Sequence, residues 1–289
     1  ACFSYIGIWK LFQLFVEIYP RYIKPLSIAI LFIPSFAFWG SGIMKDTFVI
    51  GAVCWITANF YSIFIQRKQL FVNLILFVFN FFIIINLKSY IIVSLIPGML
   101  FWLYRAYLNK INSGLIRVLV LPILILSLSV VAFFLITNMG DLLGKYGNVD
   151  DIVKTAQITQ EDLLRENAYG TNNYDLGTIN GSFSGLMSKA PMAIFTAIYR
   201  PSIIEIGSPT MVLSVIENTI LLFLTLLLLI RTKINLLYRL IKENPLVLYS
   251  LVFSVILAFG VGLATANFGA LVRYKTPLIP FYFSALIIL

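Results

Sequence analysis

The chain has 289 residues, of which 60% are hydrophobic and 11% charged, and its formal net charge is +9. It contains no histidine, which excludes a histidine general base, a histidine zinc ligand and a Ser-His-Asp triad. It also has no glycine-rich phosphate loop, dinucleotide-binding turn or paired-cysteine motif. We therefore expect no cofactor.

Long apolar runs fill most of the chain, and many approach the roughly 17–25 residues that a helix needs to cross a bilayer. These runs predict an all-α fold class, a polytopic transmembrane helical bundle of about nine or ten membrane segments. Two runs, the second and the seventh, are short for a full span and are predicted to be re-entrant or interfacial. The runs cover residues 2–19, 25–38, 47–65, 69–87, 90–103, 116–136, 191–204, 212–230, 245–264 and 276–289.

One polar stretch interrupts this pattern and carries seven of the twelve acidic residues. It divides the chain into N-terminal transmembrane helices (1–137), a large loop (138–190) and C-terminal transmembrane helices (191–289). Within the loop, residues 150–167 mix apolar and charged positions as in short amphipathic helices, whereas 168–184 are rich in Gly and Asn. The acids show no metal-ligand spacing, so no metal is expected. Because the first residue is Ala1 and both termini are apolar, we expect a portion of a longer chain.

The basic residues fall in clusters that predict which loops face the cytoplasm. This bias explains the positive net charge without nucleic acid, which we do not expect as a partner. If the run 191–204 does not cross the membrane, the number of spans between the clusters places all of them on the same side. The acidic loop then lies on the outer side. The clusters are Arg21/Lys24, Arg67/Lys68, Arg105/Lys110/Arg117 and Arg231/Lys233/Arg239/Lys242.

Four basic residues fall instead on the predicted outer side: Lys45, Arg200, Arg273 and Lys275. A cation at the end of a span often only reaches toward headgroups. Four basic residues on the side that the positive-inside bias disfavours indicate an anion site. A pyrophosphate at the membrane surface suits arginine and lysine donors.

Lys45 and Asp46 follow the string PSFAFWGSGIM, in which Pro34 and two glycines predict a helix break at the outer face. The alternative for Asp46 is a favourable charge at the start of the next helix. Two other acids, Glu17 and Glu217, lie in apolar runs and are predicted to face the bundle interior, with Glu217 pairing to an arginine such as Arg200.

The strings PSFAFWGSGIMKDTF, AIYRPSIIE and NFGALVRYKTPLIPF resemble bacterial O-antigen and exopolysaccharide polymerases of the EpsG-like group, which are GT-C-like in style. This resemblance implies that Arg200, Arg273 and Lys275 hold the pyrophosphate of a polyprenyl-linked glycan. It also implies that the external loop positions sugars. The chain departs from related ligase-type enzymes, which use an external histidine, and shows no acidic pair in its first external loop.

The leading hypothesis is an enzyme that transfers or polymerises polyprenyl-(pyro)phosphate-linked sugars on the periplasmic face of a bacterial inner membrane. Such transfer needs a stabilised leaving phosphate and a carboxylate that accepts the hydroxyl proton, for which Asp46, Asp175 and Glu205 are the candidates. The expected partners are the bilayer, the polyprenyl-linked glycan and other membrane proteins of the pathway. The alternatives are a non-enzymatic permease or flippase for an anionic lipid-linked solute, and a structural subunit of a membrane complex.

Overall fold

The computed structural model describes residues 1–108, 158, 173–174, 183–207 and 209–289. Within these ranges the chain is helical and has no strand, and an isolated antiparallel bridge joins Asn173 to Asn267. The all-α prediction is therefore confirmed for the described residues. The predicted run 116–136, most of the polar loop and Asp175 lie outside them.

The N-terminal part begins with three helices, α1, α2 and α3, and Pro34 occupies the first position of α3, where its missing N–H costs nothing. The helix break predicted before Asp46 is confirmed, because α3 ends at Ser41 and Gly42 is extended. The bounds are α1 Cys2–Ile18, a turn Pro20–Tyr22, α2 Ile23–Leu31, α3 Pro34–Ser41, α4 Lys45–Phe60 continued by a π-helical turn Tyr61–Gln66, α5 Leu70–Lys88 and α6 Tyr90–Leu108.

The described residues from 183 onward form six further helices. Asn267 caps the helix Phe268–Lys275 by accepting hydrogen bonds from the backbone N–H groups of Gly269 and Ala270. The bounds are α7 Phe183–Tyr199, a turn Ile203–Glu205, α8 Pro209–Arg231, α9 Ile234–Glu243, α10 Pro245–Ala264, α11 Phe268–Lys275, a turn Thr276–Leu278 and α12 Ile279–Ile288.

Five described helices are long and apolar enough to cross a membrane, and the count rises to six if α2 and α3, bent by 52° at their junction, form one broken span. The predicted total of nine or ten segments is thus reached only in part by the described residues. The five are Lys45–Gln66, Leu70–Lys88, Tyr90–Tyr107, Met211–Arg231 and Pro245–Ala264.

Close helix contacts depend on small residues. A Cβ atom on Gly7 of α1 would lie 2.6 Å from the carbonyl oxygen of Gly51 in α4, and one on Gly262 of α10 would lie 2.1 Å from the carbonyl oxygen of Ala193 in α7. Neither position has room for a side chain. Contacts of this kind let membrane helices pack backbone to backbone, where van der Waals contact drives association.

The described members of the predicted cytoplasmic clusters gather at one end of the bundle, which we call the Arg67 end; Lys110 and Arg117 lie outside the described residues. There Tyr19 donates a hydrogen bond to Asn244, Gln66 donates to Glu17, and Tyr107 donates to the carbonyl of Phe64. Glu17 is exposed, so the prediction that it faces the interior is wrong; its position near the end of α1 lets it reach Gln66 at the bundle surface.

The start of α4, the end of α5 and helix α11 meet at the opposite end, which we call the Asp46 end. Helix α7 runs inward from this end: Ala193 contacts Gly262 near the end of α10, and Tyr199 reaches Tyr282 and Thr225 further down α12 and α8. The chain then returns to begin α8. That the segment 191–204 enters the membrane, or lies along it, without crossing stays a prediction.

Candidate functional site

Asp46 is the centre of an ion network at the Asp46 end. Its Oδ1 accepts a hydrogen bond from Lys88 Nζ at 2.6 Å, and its Oδ2 accepts one from Arg273 Nε. The Asp46 side chain is only 3% exposed, and that of Lys88 is 11% exposed. Three helices, α4, α5 and α11, are therefore joined by one carboxylate that has no oxygen left over for solvent.

The local sequence explains why Asp46 stands at this point. The chain turns between α3 and α4, and the hydroxyl of Thr47 donates back to the carbonyl of Gly42 at 2.6 Å. Asp46 lies in the first turn of α4, as the helix-start interpretation required. Its side-chain oxygens, however, bind the two cations, and the residue at the N-cap position is Met44, which makes no side-chain cap.

Aromatic rings cover both cations. The guanidinium carbon of Arg273 lies 5.6 Å from the ring centre of Trp39, and Lys88 Nζ lies 4.2 Å from the ring centre of Tyr274. Such placement over a ring face is attractive because the ring carries negative charge on its faces. The Arg273 side chain keeps 37% of its exposure, so it is the member of the network that a ligand can reach.

Lys275 does not share a pocket with Arg273, contrary to the prediction. Two residues on a helix differ by about 200° in direction, so they cannot face the same ligand. Lys275 is 1% exposed, and its Nζ donates to the carbonyl of Arg200 at 2.8 Å and to Asn218 Oδ1 at 2.7 Å. These two bonds link Arg200, which follows α7, to Asn218 of α8.

Arg200 forms a second, separate ion pair with Glu205. Its Nε lies 2.8 Å from Glu205 Oε1, and the other carboxylate oxygen accepts from the backbone N–H and hydroxyl of Ser202, each at 2.8 Å. Burial raises the pKa of the Glu205 carboxyl, but the bonds from Arg200 and Ser202 outweigh that effect and hold the pKa below its usual value. The predicted pairing of Arg200 with Glu217 is therefore wrong, because a carboxylate five residues along the chain is nearer.

The guanidinium of Arg200 also lies over two aromatic rings, 5.3 Å from that of Tyr174 and 5.1 Å from that of Phe268. The Tyr174 hydroxyl hydrogen-bonds to Thr265 at 2.6 Å, and burial raises the pKa of the phenol. Asp175 follows Tyr174 directly in the sequence.

Glu217 faces the interior, as predicted, and is 8% exposed. Its Oε1 accepts from the backbone N–H of Ser35 at 2.6 Å, at the N-terminus of α3, where the helix dipole favours a negative charge. Its Oε2 and the Ser35 hydroxyl have no hydrogen-bond partner among the described residues. A cavity of about 100 Å³ lies next to this pair, lined by Ser35, Trp39, Ser214 and Gly269 among others.

The predicted set is therefore divided by the structure. Asp46 and Arg273 are in contact, Arg200 and Glu205 are in contact, Lys275 is buried, and Lys45 is exposed without an ion pair among the described residues. Sequence reasoning missed Lys88 as a site residue. A lysine that ends an apolar run on the outer side was the available signal.

Comparison with protein-family models, with curated proteins and with solved structures gives no match.

Proposed function

We propose that the chain is a membrane enzyme of surface-polysaccharide assembly that transfers or polymerises polyprenyl-pyrophosphate-linked sugars at the Asp46 end, on the periplasmic face of a bacterial inner membrane. The observation that supports this most is Arg273: a partly exposed guanidinium over Trp39, held by a buried carboxylate beside a second cation. An arginine fixed in this way offers its remaining N–H donors to a phosphate without reorganising.

In the proposed reaction, the acceptor sugar's hydroxyl oxygen forms a bond to the anomeric carbon of the lipid-linked sugar. The bond from that carbon to the pyrophosphate breaks, and the pyrophosphate leaves with the bonding electrons. Arg273, with Lys45 at the rim, stabilises the charge that develops on the leaving group. A carboxylate accepts the proton of the hydroxyl.

Asp46 is better suited to positioning than to accepting that proton. Each of its oxygens accepts a hydrogen bond from a cation. In Glu205, one oxygen accepts from Arg200 and the other from Ser202. Asp175, the third candidate, lies outside the described residues, next to Tyr174, which contacts Arg200. We propose Asp175 as the first carboxylate to test for this role, by the substitution Asp175→Asn.

Arg273→Ala and Arg273→Lys test the proposal in cells that depend on this chain for polymer. Losing one fixed donor to developing charge costs about 10²–10³-fold in rate. We therefore expect Arg273→Ala to abolish long chains, and Arg273→Lys, which keeps the charge but loses the planar fork, to leave shorter ones. Arg239→Ala, whose side chain is 71% exposed at the Arg67 end, is the matched control.

Arg273→Gln separates a functional from a structural role of Arg273, because Asp46 stays paired with Lys88 in this variant. If Arg273 serves only as a counter-charge, polymer falls in proportion to the protein level. If it binds pyrophosphate, polymer is lost although the protein level stays near normal. Normal chain length in Arg273→Ala at normal protein level would refute the proposal. Purified protein in vesicles that moves lipid-linked sugar without elongating it would favour the permease.

A further inference from the structure

A second polar site lies at the Arg67 end and reaches into the bundle between α1, α4 and α5. It is a cavity of about 440 Å³, a volume within the roughly 300–1,000 Å³ of ordinary ligand sites. Its lining includes Lys10, Trp55, Asn59 and Lys68. This volume is larger than that of the cavity beside Trp39, and it is separate from the ion network around Asp46.

The cavity extends from the middle of α4 toward its end. Trp55 stands midway along the span Lys45–Gln66, and Asn59 follows one helical turn later. Helix α1 packs alongside with Gly7 against Gly51, which brings Lys10 to the level of Trp55. Lys10 is the middle residue of the apolar helix α1, and a lysine within an apolar membrane helix is rare and generally marks a pathway or a binding site.

Polar residues recur along two of the three elements that line the cavity. On α4 and its π-helical turn they are Asn59, Ser62 and Gln66, at intervals of three and four residues. Gln69, directly before α5, and Asn73 in its first turn are four residues apart. Because three and four residues make one turn, each set forms a stripe on one face. Lipid tails would not stabilise such stripes, so the cavity between them is built for a polar occupant.

The groups left free in the cavity are hydrogen-bond donors. Trp55 Nε1 and Asn59 Nδ2 are buried, and neither has a hydrogen-bond acceptor within the described part of the chain. Asn59 is 2% exposed, so its amide is not turned to bulk water. Lys10 has no ion pair with any described carboxylate, and the lining includes no acidic residue. The nearby Glu17 is occupied by Gln66.

We infer that this cavity binds a phosphate group, with Lys10 and Lys68 supplying charge and Trp55 and Asn59 supplying N–H donors. Two ammonium groups with neutral donors and no carboxylate select an anion, and phosphate offers enough oxygens to satisfy all four. The phosphate has two sources, the headgroup of a lipid in the adjacent leaflet or a soluble phosphate. This inference does not depend on the proposed function, since it concerns other residues at the other end of the bundle.

The test measures binding to the purified full chain in detergent by the change in tryptophan fluorescence. Three probes are used: short-chain phosphatidic acid, inorganic phosphate and short-chain diacylglycerol, which lacks the phosphate. We expect saturable binding of phosphatidic acid and none of diacylglycerol. Binding of inorganic phosphate with similar affinity would assign the site to a soluble ligand, and preference for the lipid would assign it to a headgroup.

Lys10→Gln should weaken phosphate-probe binding by at least about tenfold, the effect of losing one charge-assisted hydrogen bond. Lys10 is exposed, so this variant should fold normally. Lys233→Gln removes an exposed cation from the same end but outside the cavity, and should change binding less than twofold. Equal effects of the two variants would mean that general charge attracts the probe and would overturn the inference.

Asn59→Leu provides a readout that a purely structural amide would not give. If the Asn59 amide donates to the ligand, the variant loses affinity for the phosphate probe. If the amide only packs, replacing an unpaired buried donor raises thermal stability and leaves affinity unchanged. The second result, or no binding of either phosphate probe to the wild-type chain, would refute the site.

Discussion

Asp46→Asn removes the negative charge from the network while keeping the size and shape of the side chain. The carboxylate neutralises Lys88, which is 11% exposed, and Arg273, which is 37% exposed. After the substitution, the Lys88 ammonium remains mostly buried, and only the amide oxygen of the new side chain accepts from it. We expect the variant to insert but to unfold more easily.

The size of the effect follows from the burial of each partner. Removing one member of a buried ion pair costs about 3–5 kcal/mol, because the other charge is left without compensation. Arg273 retains contact with solvent, which screens its share. We therefore expect a loss of about 3 kcal/mol in the free energy of unfolding, nearly all of it through Lys88.

Reversible unfolding of the purified chain in mixed micelles, followed by tryptophan fluorescence, measures this loss. Glu243→Gln is the control, because it breaks the exposed Arg239–Glu243 pair on α9, where about 0.3–0.5 kcal/mol is expected. Asp46→Asn/Lys88→Met should be more stable than Asp46→Asn alone, since it removes the uncompensated charge. A loss below about 1 kcal/mol for Asp46→Asn would contradict the assignment of a buried network.

Three further predictions concern other parts of the molecule. Gly262→Ala should destabilise the chain by about 1–3 kcal/mol, because its Cβ would meet the Ala193 carbonyl. Gly260→Ala on the same helix is the control: its Cβ meets nothing within 4 Å, so it should be neutral or stabilising. Equal free energies of unfolding for the two variants would refute the close contact. In a Cys2→Ser background, an impermeant thiol reagent should label Ile43→Cys at the Asp46 end of intact cells and spare Lys68→Cys and Lys233→Cys at the Arg67 end; the reverse pattern would invert the topology. The pKa of Glu205 in the folded chain is lowered from 4.5, so its pairing with Arg200 stabilises the fold above pH 4.5, and this stabilisation is lost as the pH falls through the lowered pKa. Glu205→Gln should therefore make the free energy of unfolding depend less on pH on the acid side. An unchanged acid side would show that the pair contributes nothing to stability.

The sequence predicts the helices well where hydrophobicity alone decides. The run 245–264 is reproduced residue for residue by α10, and the break near Pro34 follows from proline chemistry. Charge partners were harder to predict, because they depend on helix rotation. Nothing in the spacing of Arg273 and Lys275 says which of the two faces the core until α11 is known to be helical through both.

Partner choice across the chain was also beyond sequence reasoning. Arg200 was expected to reach Glu217, but the turn Ile203–Glu205 returns a closer carboxylate to it, while Glu217 meets the backbone of Ser35, 182 residues away. The polar residues at the end of α4 and in the turn after it can be read directly from the sequence, but the high mean hydropathy of the surrounding span gave no sign of them.

The Asp46 network also sets an order of assembly. Lys88 lies 42 residues after Asp46, on the adjacent helix, whereas Arg273 lies 227 residues after it. During synthesis from the N-terminus, the hairpin of α4 and α5 is complete, and its carboxylate neutralised, long before α11 exists. A charge at the centre of a membrane helix costs about 2.5–3.5 kcal/mol on insertion scales, and one nearer the helix end costs less. Lys88 is thus the partner that neutralises Asp46 as the hairpin enters the bilayer, and Arg273 completes the network only when the last helices are made.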